Sequence, residues 1–101
     1  KDLQLEFKED VLGPGTKVIK TPGHTREHIS LMVNTDKGKY VIAGDVFWWT
    51  DGENQIVDVN KIDDSHPKEL DMEELVKSRT ALLKLADYII PGHGKIFKIE
   101  K

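Results

Sequence analysis

Cysteine is absent from this sequence of 101 residues. Its absence excludes disulfides and thiolate metal sites, so histidine, aspartate and glutamate are the only strong metal ligands that the chain offers. A chain without cysteine is also compatible with a reducing cytosol, and we expect a cytoplasmic protein.

Long apolar runs and an excess of one charge sign are also missing. The apolar stretches fall far short of a membrane span, and no signal peptide or lipidation motif is visible, so we expect no membrane partner. The 15 basic and 18 acidic residues give a net charge of -3, and the basic residues form no cluster in the sequence. This argues against general electrostatic binding of nucleic acid. A local site could still bind RNA. With 38% apolar and 33% charged residues, the composition is that of a globular chain.

Alternation and turn residues predict a β-rich chain with one helix. Six short runs have the character of strands: residues 3–7, 16–21, 28–34, 40–43, 87–90 and 95–99. Residues 40–43 are apolar on both faces, so the sheet is expected to be covered on both sides. Asp71 and Glu74 form a capping box before an apolar helical face, which predicts a helix from about Met72 to Ala86. The result is one mixed α/β unit over residues 1–101.

The tripeptide Pro-Gly-His occurs twice, ending at His24 and at His93, and each copy follows a predicted strand. Between them, an apolar run ends in Ala-Gly-Asp at Asp45. Two imidazoles and one carboxylate form a donor set that suits Zn²⁺, Fe²⁺ or Mn²⁺ better than Ca²⁺ or Cu⁺. Any single histidine of this kind is more often a surface-loop residue, but three matching strand ends together favour a metal site.

The order of these motifs resembles the C-terminal half of the metallo-β-lactamase superfamily. Thr21–Ile29 is similar to that family's third metal motif, Ala43–Asp45 to its fourth, and Ile90–Gly94 to its fifth. The resemblance implies an α/β (α+β) fold that is half of an αββα sandwich, with a mixed sheet and one long helix near the C terminus. It also implies that His24 binds a first metal, that Asp45 bridges both metals as the catalytic carboxylate, and that His93 binds the second.

The same resemblance implies a metal-dependent hydrolase. Zinc is the expected metal, with two ions in a complete site and iron or manganese as alternatives. In that family a metal-bridging hydroxide attacks an ester, thioester, lactone or phosphodiester. The expected partner is therefore a small-molecule or RNA substrate. The segment between Asp45 and the helix is short, which argues slightly against a glyoxalase II-like thioesterase. Residues 92–97 resemble small single-domain members of the superfamily, some of which are nucleases.

One family motif is missing from the sequence. The first ligands of the family come from a His-x-His-x-Asp-His motif, and the four histidines here contain no His-x-His pair. We therefore expect the C-terminal portion of a domain, which binds at most one metal weakly and is inactive alone. A missing half would leave one sheet face apolar, so we expect association with the N-terminal half or with a second copy. The alternative is a non-catalytic half-fold that serves as a dimerisation or binding module.

The roles of several residues near these motifs allow two interpretations. His28 is predicted to support His24 from behind, because the turn and strand pattern around it is not that of a helical histidine pair. The candidate substrate-lining residues are Phe47, Trp48 and Trp49. These aromatic side chains either wall a pocket or cover the core or an interface. The long polar segment that follows, residues 50–67, is predicted to hold solvated side chains at Asp58, Asp63, Asp64 and His66.

Overall fold

The structure is a computed structural model that describes residues 7–9, 15–63 and 67–100. Its strands are β1 (Phe7–Glu9), β2 (Thr16–Lys20), β3 (Ile29–Thr35), β4 (Gly38–Trp48), β5 (Tyr88–His93) and β6 (Phe97–Lys98). The helix α1 (Met72–Leu85) lies between β4 and β5 in the chain. Residues 3–6 of the first predicted strand lie outside the described residues.

All of these strands form one six-stranded sheet in the order β1-β2-β3-β4-β5-β6. Neighbouring strands are antiparallel, except that β4 and β5 are parallel. A parallel pair needs a long crossover, and the crossover here carries α1. The predicted α/β class, with a mixed sheet and one long helix, is confirmed, and the arrangement is consistent with a partial metallo-β-lactamase fold.

The helix begins and ends where the sequence predicts. Asp71 is the N-cap residue, and its carboxylate accepts a hydrogen bond from the backbone N–H of Glu74 at 3.2 Å. At the other end, the N–H of Ala86 donates to the carbonyl of Leu82 at 2.9 Å as the chain leaves the helix. Within the described residues, no helix has both the length and the apolar composition to cross a membrane.

One face of the sheet packs against α1 and forms the core. Its fully or nearly buried side chains are Ile19, Met32, Val41, Ala43, Ile89, Leu75 and Leu82. The opposite face is also apolar, and we call it the open face: Val18, Ile29, Leu31, Ile42 and Ile90. In the described part of the chain, Ile29 remains 56% exposed and Ile42 44% exposed. The sheet is therefore covered on one side by α1, and its second apolar side faces outward.

Strand β4 is longer than the sequence suggested. The predicted strand stopped before Asp45, whereas β4 continues to Trp48. Its pairing with β5 shifts register between Ile42 and Gly44 and again between Gly44 and Trp48. Asp45 thus lies within the strand, in the part where regular pairing with β5 is interrupted. The last strand is shorter than predicted and covers only residues 97–98.

Candidate metal centre

Helix α1 holds the loop that carries His24. A Cβ atom added at Gly23, whose φ is +140°, would lie 2.3 Å from the Cα of Leu75, so only glycine allows this approach. The backbone N–H of Asp71 donates to the Gly23 carbonyl at 2.7 Å. The Ser78 hydroxyl donates to the preceding carbonyl of the loop, also at 2.7 Å. The first Pro-Gly-His turn is therefore fixed to the N-terminal half of the helix.

His24 lies between two carboxylates. Its Nδ1 contacts Oδ2 of Asp63, which is fully buried. Its Nε2 lies 3.3 Å from Oδ2 of Asp45. The His24 side chain is 14% exposed and that of Asp45 is 55% exposed, so the Asp45 side of this arrangement is open to solvent. The His24–Asp45 pair offers one nitrogen and one oxygen donor to a cation.

The prediction that Asp63 is a solvated loop residue is wrong. The side chain is 0% exposed because the loop folds inward and places its carboxylate against the His24 ring. Asp58 is exposed, as predicted. Asp64 and His66 lie outside the described residues.

Arg79 on α1 is buried beneath the same loop. It is 2% exposed, and its Nε donates to the Val46 carbonyl at 2.8 Å. Its Nη1 donates to the carbonyls of Val59 at 2.9 Å and Lys61 at 2.6 Å. Burial lowers the pKa of Arg79, and the nearby negative charge of Asp63 opposes that lowering. The guanidinium therefore ties α1 to β4 and to the loop that carries Asp63.

Sequence reasoning missed both Asp63 and Arg79. Asp63 and His24 are 39 positions apart in the sequence, so no local pattern predicts that they form a pair. Arg79 did carry a signal, because it lies on the same helical face as Leu75 and Leu82. A charged residue on an apolar helical face requires buried partners, and the loop after β4 supplies them.

His28 lies directly behind Asp45. Its Nε2 accepts a hydrogen bond from the backbone N–H of Asp45 at 3.1 Å. The proton is therefore on Nδ1, which donates to the Thr21 hydroxyl at 3.0 Å. That hydroxyl in turn lies 2.8 Å from the hydroxyl of Ser30. Burial lowers the pKa of His28, although the charge of Asp45 opposes this. Both ring nitrogens are engaged by protein groups, so His28 supports the Asp45 backbone.

Glycines allow β4 and β5 to meet at Asp45. Gly44 has a φ of +53°, and a Cβ there would lie 3.0 Å from Nε2 of His28. A Cβ at Gly92 would lie 2.8 Å from the Gly44 carbonyl carbon and 2.9 Å from Oδ1 of Asp45. The glycines of the Ala-Gly-Asp and second Pro-Gly-His motifs are thus required by close approach at this carboxylate.

His93 does not join the His24–Asp45 pair. Its Nδ1 donates to the Trp49 carbonyl, and its Nε2 lies 3.4 Å from Oδ1 of Asp51. With Asp51 and Glu53 it lines an open cleft of about 520 Å³. Across residues 15–63 and 67–100, no group of three histidine, aspartate or glutamate side chains has an arrangement that could hold a metal ion. The structure brings together two of the three predicted ligands.

The aromatic residues after Asp45 lie mostly in the core. Phe47 and Trp49 are each 3% exposed, and their rings lie 5.7 and 5.6 Å from the ring of Phe97. This is the core alternative that the sequence left open, although Trp49 also borders the cleft beside His93. Trp48 is half-buried, and the ammonium group of Lys61 lies 5.0 Å from its ring centroid.

Curated relatives match the chain along most of its length. A protein of Xenopus laevis named "Metallo-beta-lactamase domain-containing protein 1" is 43% identical over 90 residues, which cover 88% of this chain and 35% of that protein. Proteins of the same name from Homo sapiens and Rattus norvegicus are 36% and 33% identical, covering 87% and 88% of this chain and 30% and 33% of theirs. No protein-family model matches. The chain spans about a third of the length of the curated relatives that it matches.

Proposed function

Because this chain is related to the metallo-β-lactamase superfamily, we propose that it supplies the C-terminal share of a metal-dependent hydrolase site. The observation that carries the proposal is the His24–Asp45 pair, in which Nε2 and Oδ2 face each other at 3.3 Å beside open solvent. The helix contact at Gly23 and the hydrogen bond that the Asp45 N–H donates to His28 hold the backbone at the two residues in place.

The residues of this chain fit part of a metal site. One imidazole and one carboxylate suit zinc, with iron and manganese as alternatives. A protein zinc site needs at least three ligands, and the described residues bring only these two together. We propose His93 as a further ligand, since its Nδ1 is engaged by the Trp49 carbonyl and only its Nε2 remains for a metal. It would exchange its contact with Asp51 for that role.

The proposed reaction is hydrolysis of an ester, thioester, lactone or phosphodiester, in a small molecule or in RNA. When bound, a divalent metal supplies Lewis acidity for such a reaction. This chain's own contribution is to position the ligands. Asp45 holds a negative charge at the open edge of the site, and His28 fixes the backbone from which that charge projects.

We also propose that the open face packs against the sheet of an N-terminal half that supplies the missing ligands. The exposure of Ile29 and Ile42, at 56% and 44%, supports this, because a contiguous apolar sheet face in water favours association. A second candidate function, a non-catalytic dimerisation or binding module, rests on the same face. It requires no metal, so metal binding separates the two candidates.

The test is a titration of the chain with Co²⁺, followed by visible absorption. We expect at most one ion, bound weakly, and loss of the absorption band in the variants His24→Gln and Asp45→Asn. The control is Asp36→Asn, which removes an exposed carboxylate in the β3–β4 turn and is expected to leave the band unchanged. A band that persists in both site variants would contradict the proposal and favour the binding module.

A further inference from the structure

We infer that Asp63 is a positioning residue for His24, which keeps the imidazole proton on Nδ1 and so presents Nε2 as the donor atom beside Asp45. The inference deepens the proposed function and rests on it, because a donor atom matters only if a metal binds there. It assigns a role to a buried carboxylate that lies 39 positions away from its partner in sequence.

The contact between Asp63 and His24 fixes the position of the imidazole proton. An ionised carboxylate can only accept hydrogen bonds, so the contact of Asp63 with Nδ1 requires a proton on that nitrogen. A neutral imidazole carries one proton, so Nε2 then has a free lone pair. Nε2 and the Asp45 Oδ2 at 3.3 Å are then two acceptors that face each other, an arrangement that favours a cation between them.

Burial and the contacts of Arg79 hold Asp63 in place. The carboxylate is fully buried, so it cannot turn toward solvent as a loop residue would. Arg79 donates hydrogen bonds to the carbonyls of Val59 and Lys61, in the segment just before Asp63. Its positive charge also compensates the negative charge of the Asp63 carboxylate. A carboxylate fixed in this way sets both the tautomer and the rotation of the ring that it touches.

Without Asp63, nothing in this contact would fix the tautomer of His24. The His24 ring could then carry its proton on Nε2 and donate it to the Asp45 carboxylate. That hydrogen bond would close the His24–Asp45 pair on itself, and a metal would have to displace a proton to enter. Loss of an outer carboxylate of this kind typically weakens metal affinity by about 10- to 100-fold.

The test is NMR of the ¹⁵N-labelled chain in alkaline solution, where the imidazole is neutral, with the ring nitrogen shifts of His24 as the readout. We expect a single Nδ1–H tautomer in the wild-type chain and a mixture of tautomers in Asp63→Ala. The control Asp58→Asn also removes a carboxylate that acts on the Arg79 charge, but Asp58 is exposed. It should leave the His24 shifts unchanged.

A conservative variant guards against misfolding of Asp63→Ala. Asp63→Asn keeps the side-chain volume and removes the charge, so the Nδ1–H proton should move upfield from its position in the wild-type chain. Unchanged His24 shifts in Asp63→Asn, or a tautomer mixture in the wild-type chain, would overturn the inference.

A zinc titration of the same samples separates this inference from the proposed function. A single Nδ1–H tautomer that Asp63→Asn perturbs, in a chain that binds no zinc, would uphold the positioning role and refute the metal site. Zinc binding through His24 with equal affinity in the wild-type chain and in Asp63→Asn would overturn the positioning role and leave the metal site intact. We expect binding to the wild-type chain and about 10- to 100-fold weaker binding to the variant.

Discussion

Replacement of Arg79 by methionine should destabilise the chain severely. The guanidinium donates to three backbone carbonyls, and its positive charge interacts with the buried carboxylate of Asp63. Methionine offers no donor to these carbonyls, and each buried acceptor left without its hydrogen bond costs about 1–3 kcal/mol. The total free energy of unfolding of a domain of this size is roughly 5–15 kcal/mol. Arg79→Met should therefore remove a large share of it.

Urea unfolding followed by circular dichroism measures this loss, and a second substitution identifies its cause. In Arg79→Met combined with Asp63→Leu, neither buried charge remains. The double variant should lose less stability than the two single variants together, because the charges of Arg79 and Asp63 attract each other in the wild-type chain. A cost below about 1 kcal/mol for Arg79→Met, or a loss in the double variant that equals the sum of the two single losses, would refute this account.

Gly23→Ala should lower the free energy of unfolding by more than about 2 kcal/mol in a urea titration, because the new Cβ meets the backbone of Leu75. The control is Gly52→Ala, which should cost only about 1 kcal/mol of backbone strain, because Gly52 has a φ of +79° but no atom lies within 4 Å of the added Cβ. Thr21→Val should lower the free energy of unfolding by about 1–3 kcal/mol in urea, because it removes the acceptor for the Nδ1–H of His28. Thr21→Ser keeps the hydroxyl and should keep most of the stability, so equal losses in the two variants would contradict that hydrogen bond. Ile42→Lys places a charge on the open face and should reduce the association of the chain that light scattering measures. Ile56→Lys, at a 65% exposed loop position, should leave association unchanged. Association unchanged by Ile42→Lys would exclude the open face as the interface.

Local signals predicted the helix of this chain. The Asp71 cap and the apolar spacing of Leu75 and Leu82 are short-range features, and the structure follows them. The length of β4 was missed, because a turn was expected at Gly44. The structure instead continues the strand through an irregular pairing with β5.

The three candidate ligands could be predicted from the sequence, whereas the geometry of the site could not. The Pro-Gly-His and Ala-Gly-Asp motifs identified His24, Asp45 and His93. The direction in which each ring turns depends on contacts far away in sequence, such as Asp63 for His24 and the Trp49 carbonyl for His93. These contacts join residues that are 39 and 44 positions apart in sequence, so no local pattern encodes them.

The most direct test of the metal site is a crystal structure of the chain grown with zinc, with data collected at the zinc absorption edge. Our account predicts an anomalous peak bonded to Nε2 of His24 and to a carboxylate oxygen of Asp45, with the Nδ1 contact to Asp63 retained. Zinc bound elsewhere in the crystal, with no peak between His24 and Asp45, would contradict it.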